Sequence, residues 1–360
     1  MVRLAGAVVA VLLLALPSAA SATVTVNTTS DHVPDTCDPV GPGTDCTLRE
    51  AINNPPLDGE IIVPSGTYPL IQGELDVDAD MTIRGAGART TIIRPGPDIV
   101  SRVMTVESGL DHVEIHGVTI TGGNADRGQG GGINNGLNTP LDIFDSAIVD
   151  NSADSGGGIW STGELTITRS LIARNHAVGA ASPAFGGGLF LVSATTATVI
   201  ENTTIARNTA TNGTIGSGGG IYTRNNLDLI NVTLAENSAP DGGGLFEDFA
   251  GDARSTFTVN TLAARNSGGN CAGTADDPIE STNGLSDELG APTCTTAGSA
   301  ESAGGGHASR SARQQRRPDR HDGVARRESG HRRRRCFAVP VARSARGAAS
   351  AAGSVRHRGL

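Results

Sequence analysis

From Leu165 to Thr168 apolar and polar residues alternate one for one, the spacing of a strand with one buried face. The same beat returns along the chain. "LDIFDSAIVDNSA" (141–153), "LTITRSLIARNHA" (165–177), "TVIENTTIARNTA" (198–210) and "LDLINVTLAENSA" (227–239) share it, with a weaker copy at 113–125 and a shortened one at 257–269. Each unit has an alternating apolar pair, a gap of small or polar residues, another apolar residue, then Asn and a small residue. Residues 57–109 read as earlier, less regular copies, with strand–turn–strand character in "EIIVPSGTYPL". Segments this short cannot build a core alone; each buries its face only against a like segment above and below.

A glycine triplet punctuates the units. "GGGI" or "GGGL" begins at Gly130, Gly156, Gly186, Gly218 and Gly242, at spacings of 26, 30, 32 and 24 residues. Leucine-rich horseshoes need a denser leucine pattern, and propeller blades need about 40–45 residues each. The pattern therefore predicts an all-β fold: a right-handed parallel β-helix solenoid with a short N-terminal capping helix, its hand taken from the usual crossover rule. The recurring Asn151, Asn175, Asn208 and Asn237 fall at one position of the unit. Asn tolerates left-handed backbone and bonds its own turn, and stacked in register the amides form a ladder. Trp160, Phe190, Tyr222 and Phe246 each follow the GGG[IL] mark at one place. Alternation puts them outside or at a corner, either as packing or as a stripe for stacking carbohydrate.

One stretch breaks the β pattern. "DCTLREAINNPP" (45–56) reads as a brief helix. Thr47 and Glu50 make a capping box, Leu48, Ala51 and Ile52 share a face, and Pro55 and Pro56 prevent continuation. A solenoid needs a terminal cap. The helix is expected to lay Leu48 and Ile52 over the open first coil, with a Cys37–Cys46 bridge pinning its start and Arg49 pointing elsewhere.

"CTLREAINN" closely resembles the signature of the CSLREA-domain family of secreted bacterial proteins, with Thr47 where the family has Ser. The coils resemble the polymorphic outer-membrane-protein and pectate-lyase-like β-helix repeats that follow that motif. The resemblance runs from about Thr23 to Cys294. It implies export and a β-helix, and it implies no particular reaction.

Composition adds a compartment. "LAGAVVAVLLLALP" after Arg3, with "SAASA" behind it, predicts a signal peptide over 1–22; the run is short of the roughly 20 apolar residues of a membrane span. The expected location is secreted, either extracellular or at the cell surface. An oxidising compartment permits disulfides, and local pairs Cys37–Cys46 and Cys271–Cys294 are expected, with Cys336 left over. The remaining divisions are 23–56 for the N-terminal segment and capping helix, 57–289 for the β-helix, and 290–360 for a disordered Arg-rich tail.

Charge is divided unevenly. Residues 301–360 hold 15 Arg against 4 acids, whereas 1–300 hold 13 Arg against 33 acids, and there is no lysine. A basic tail suggests nucleic acid, but a frame error accounts for it better. Written in GC-rich synonymous codons and read from the second base, "QQRRPDRHDGVARRESGHRRRRC" gives NNGGPTAMTALPGGSPAIDAGDA, and "SVRHRGL" gives ACDIGAF. Both resemble C-terminal strings of the CSLREA family.

No catalytic constellation emerges. Glycoside hydrolysis needs two carboxylates at a set distance, and lyase chemistry a calcium-binding acid cluster and a base such as Arg. Asp142 with Glu164, or Asp126, Asp154 and Asp241, are the pairs that adjacent coils could offer. His32, His112, His116 and His176 are scattered and read as surface or turn residues. No catalytic residue, metal ligand or cofactor is expected. The expected protein is a monomeric, non-catalytic adhesion or interaction module. Its partner is an extracellular polysaccharide or surface protein, with no nucleic acid and no transmembrane span. The alternative is a polysaccharide lyase or glycoside hydrolase of the pectate-lyase-like type. A groove lined by acids and arginine favours the enzyme; a smooth flank with only the aromatic ladder favours the binder. For the tail, the gene should show one base shift, at about codons 290–305, that opens the frame encoding those two strings. Sequencing the locus checks it, and the idea fails if no single shift in that region opens the second frame.

Overall fold

The computed structural model describes residues 23–286, apart from short stretches at 33–36, 38–44, 57–58, 180–182, 193–196, 250–254, 274–279 and 283–284. All of these lie in the first of two compact units, 1–300. The expected signal peptide over 1–22, Cys294, Cys336 and the tail expected over 290–360 lie outside the described residues.

The chain is a solenoid of parallel strands. Three sheets of 10, 9 and 8 strands run along it. One coil shows the plan: Leu165–Thr168 lies in the first sheet, Leu171–Ala173 in the second, and Leu189–Leu191 in the third. Each strand pairs with its counterpart one coil away. The sheets begin earlier than the repeat pattern does, because Thr23–Thr25 already pairs with the strand at 60–63.

Register is strict, and it makes columns. In the first sheet Ile61, Ile83, Ile115, Ile143, Ile167, Ile200 and Leu229 are successive partners. All are fully buried. A matching column in the second sheet runs Ile93, Ile120, Ile148, Ile172, Ile205 and Leu234. Burial of each such side chain is worth about 1.5–3 kcal/mol. A slip of one residue would turn every column to solvent, so the alternation read from sequence fixes the register.

The corner between the second and third sheets is held by asparagine. Each buried ladder residue binds both neighbours. Asn175 Nδ2 donates to Asn208 Oδ1 at 3.0 Å and to the Ile148 carbonyl at 2.9 Å, while its own Oδ1 accepts from the backbone and side-chain nitrogens of Asn151. The pattern repeats through Asn208 and Asn237 and extends to Asn266 and Asn270. The left-handed backbone lies one residue before the amide rather than on it. Asp150, Arg174, Arg207, Glu236 and Arg265 have φ of 55 to 59°. The bend is made there, and Asn follows to satisfy the exposed backbone groups.

The glycine triplet is the other half of this corner. Gly186 has φ 63°. A Cβ on Gly187 would lie 2.5 Å from the Gly219 carbonyl oxygen, and one on Gly188 would lie 3.0 Å from Asn208 Nδ2. Only glycine leaves room for the amide column. The charged residues of the bend pair across coils, as in Arg174–Asp150 at 2.7 Å and Arg207–Glu236 at 2.7 Å. These pairs are exposed and screened by solvent, so they add little to stability.

The capping helix spans Leu48–Asn53. Thr47 Oγ1 accepts from the Glu50 N–H, and Glu50 Oε2 accepts from the Thr47 N–H. Leu48, Ala51 and Ile52 are buried against the first coils. Cys37 and Cys46 are joined, and Cys271 is also disulfide-bonded. Arg49 corrects the sequence reading. It does not point away: its guanidinium grips both oxygens of Asp31 at 2.7 and 3.0 Å and donates to the carbonyls of Gly73 and Glu74. Asp31 in turn accepts the backbone N–H groups of Ile71 and Gln72. Asp31 is buried and Arg49 partly so, and their bonds tie the cap to the coil beneath it.

One interior column contains a flaw. Glu247 occupies an inward position of the third sheet and is 5% exposed. Burial pushes its carboxyl up to about 7, above the ordinary value near 4.5. Because the unfolded chain ionises first, stability should fall as pH rises from about 4.5 to 7, by roughly 3 kcal/mol in all. Glu247→Gln should remove this slope and be the more stable protein at pH 8, with no advantage at pH 4; urea unfolding across that range measures it. Asn208→Ala strands the backbone N–H and one side-chain N–H of Asn175, while Asn237 Oδ1 keeps the backbone N–H of residue 208. It should cost about 2–6 kcal/mol at one to three per orphaned donor, and the same unfolding curves report it.

Candidate functional site

The outer face of the third sheet carries the richest surface. Alternation with the buried column sets Asp76, Thr105, Asn134, Trp160, Phe190, Tyr222 and Phe246 in one outward register, one per coil. Neighbouring strands lie about 4.8 Å apart, so the column is a ruler of side chains. Its N-terminal half is polar and its C-terminal half aromatic.

A cleft of about 550 Å³ opens over the polar half. Glu74, Asp76, Arg102, Thr105, Glu107, Asn134 and Trp160 are among its lining residues. Arg102 forms an ion pair with Glu74 at 3.3 Å and donates to Thr105 Oγ1 at 3.1 Å; that hydroxyl donates onward to Glu74. Asp76 and Glu107 are exposed, and Trp160 stands half-buried where the polar and aromatic halves meet. Three carboxylates face one arginine, so the cleft is net negative.

The aromatic half is not an open stripe. Tyr222 is 2% exposed and Phe246 8%. Their rings stack at 5.3 Å, Phe190 meets Tyr222 edge-on at 4.9 Å, and Phe185 lies 4.7 Å from Tyr222. Phe185 comes from the long corner loop, in the short strand Ala184–Phe185 that pairs with Gly216–Ser217. Alternation correctly turns the four rings outward. The loop then lays Phe185 over Tyr222 and against Phe190; Tyr222 and Phe246 are buried, and Trp160 and Phe190 stay partly accessible. No strand periodicity reveals that cover, because it comes from an insertion.

Tyr222 does not supply acid–base chemistry. Its hydroxyl donates to Asp248 Oδ2 at 2.6 Å, and Arg224 Nε donates to the same oxygen at 2.8 Å. Burial, and then the bond to Asp248, holds the phenol well above its ordinary pKa. It stays neutral and acts as a fixed donor.

The acidic pairs sought in sequence are arranged differently. Asp142 does not meet Glu164. Its outward neighbours in register are Glu114 and Thr166, and His112 Nε2 lies 3.0 Å from Asp142 Oδ2. Asp126, Asp154 and Asp241 share one corner but lie on different coils: Asp241 bridges to Ser217, in the ladder that runs back through Phe185 to Ser155 and Gln129. His112 and His116, scattered by number, are brought beside Glu114 on one face. Among the described residues no helix is long and apolar enough to cross a membrane.

No protein-family model matches the sequence, and no curated protein does. The family resemblance drawn from "CTLREAINN" therefore rests on those residues alone. Solved structures with some likeness include ORF18 of Geobacillus virus E2, at 13% identity and TM-score 0.36 over 73% of this chain. The match spans 60% of the viral protein, less than two thirds of its length. An alginate lyase from Paenibacillus sp. str. FPU-7 has 15% identity and TM-score 0.37 over 75% of this chain and 96% of its own. Likeness at this level carries nothing about activity.

Proposed function

We propose that this protein is an exported, non-catalytic β-helix that acts as a monomer outside the cell or at its surface, binding carbohydrate through the third sheet. The observation that carries the reading is Trp160. It is a half-buried indole at the edge of a roomy polar cleft, in register with Asn134, Thr105 and Asp76. A flat apolar face beside spaced hydrogen-bonding groups suits the apolar face and hydroxyl edge of a sugar ring. The excess of carboxylate disfavours polyanionic chains by like-charge repulsion, so the preferred ligand is a neutral glycan.

The acids and the arginine in the cleft favour a second reading, a polysaccharide lyase or glycoside hydrolase. A general acid needs a carboxyl group kept protonated by its surroundings. Asp76 and Glu107 are open to water, and Glu74 is engaged by Arg102 and Thr105. This weighs toward binding.

Trp160 is the chain's single tryptophan, so its fluorescence reports this site alone. Titration with a panel of neutral and acidic polysaccharides should change the emission for a neutral member. Trp160→Ala should weaken that binding at least about tenfold by an independent method such as calorimetry, and Tyr222→Phe should leave it unchanged. Equal affinity in wild type and Trp160→Ala would sink the proposal. Release of unsaturated products or new reducing ends, lost in Glu107→Gln, would establish the enzyme instead.

A further inference from the structure

The first sheet carries a second constellation, independent of the carbohydrate reading. Glu114 and Asp142 are outward partners on adjacent coils. His112, two residues before Glu114, reaches across both: Nε2 lies 3.0 Å from Asp142 Oδ2 and Nδ1 lies 3.8 Å from Glu114 Oε1. One ligand atom from each of the three falls within 4.8 Å of the others. His116 braces the group, with Nε2 2.8 Å from Glu114 Oε2 and its ring stacked on Phe144 at 4.7 Å. Asp80 fixes the approach of His112 by accepting the backbone N–H groups of Asp111 and His112 at 2.8 and 3.1 Å.

Several outward carboxylates that meet a charged partner on the next coil meet an arginine: Asp145 with Arg169, Asp150 with Arg174, Glu236 with Arg207, Asp248 with Arg224 and Glu60 with Arg84. Among the described residues no arginine pairs with Glu114 or Asp142. Their other register neighbours on this face are Thr82 and Thr166, which bring no charge. Two carboxylates stacked one strand apart repel each other unless a cation lies between them. Here the residues in that position are imidazoles, which are ligands when neutral.

We propose that His112, Glu114 and Asp142 bind a divalent transition metal ion of the zinc type, with His116 as a positioning residue that holds Glu114. One nitrogen and two carboxylate oxygens form a mixed set that suits Zn²⁺ better than Ca²⁺, which takes oxygen alone. Three protein ligands at a water-exposed place leave further positions to solvent. The ion would stitch two adjacent coils together across the first sheet, far along the chain from the capping disulfide.

Isothermal titration of the full exported chain with ZnCl₂ and with CaCl₂ tests this. Saturable binding of one zinc that outcompetes calcium is expected. His112→Ala and Asp142→Asn should each weaken it at least about tenfold. His116→Ala should weaken it by about 10–100-fold, as loss of an outer-shell partner does, and His176→Ala should leave it unchanged. His112 is on the surface, so its replacement does not threaten the fold, and circular dichroism of the variants verifies that. No saturable zinc binding, calcium bound in preference, or zinc bound equally well by His112→Ala and Asp142→Asn would each overturn the assignment.

Discussion

The buried amide column is the constraint on which the other features depend. A polar group enclosed in a protein interior is costly unless every donor and acceptor is met. Asn175 and its counterparts meet theirs only when an identical residue lies in the same place on the next coil. This demands equal register at every level, and it demands an absence of side chains opposite, which the glycine triplets provide. Coil spacing can vary between triplets because the extra residues leave the column before the ladder is disturbed. The hydrophobic columns give the solenoid most of its stabilisation. The amides and glycines specify which residue lies over which.

Much of this was legible in the sequence because a solenoid repeats its solution. The columns through Ile167, the Asn positions, the glycine corners and the Thr47–Glu50 capping box each follow from a local pattern read several times over. What escaped was non-local or unrepeated. Asp31 is far from Arg49 in number, and no period links them. The cover over Tyr222 comes from Phe185, which sits in an insertion of one coil. The gathering of His112, His116, Glu114 and Asp142 needed register, since Asp142 had to be placed over Glu114 and not beside Glu164. The left-handed residue was sought at Asn, which tolerates that backbone best, but the charged residue before it takes the bend because the amide must point inward.

A solenoid divides its labour by face. Inward positions answer to the coil above and below, and in the first two sheets one column of Ile and Leu runs along the chain. Outward positions answer to nothing but their neighbours on the surface, so polar, aromatic and acidic groups can be set one per coil at a fixed pitch. The third-sheet cleft and the first-sheet histidine cluster both use that freedom. Chemistry of this kind belongs to the site and not to the fold, which is why a shared architecture leaves the choice between binding and catalysis to the side chains.

The hydrogen bonds of all three sheets, and those of the amide column, link one coil to the next. The bridge between Cys37 and Cys46 closes a loop of sequence separation 9 and spans no such junction. A pull on the two ends of the stack would therefore load the junctions in series. The weakest would yield first, and the others would be spared until it had opened. Anchorage near one end would place every coil under strain, whereas attachment along a flank would place almost none.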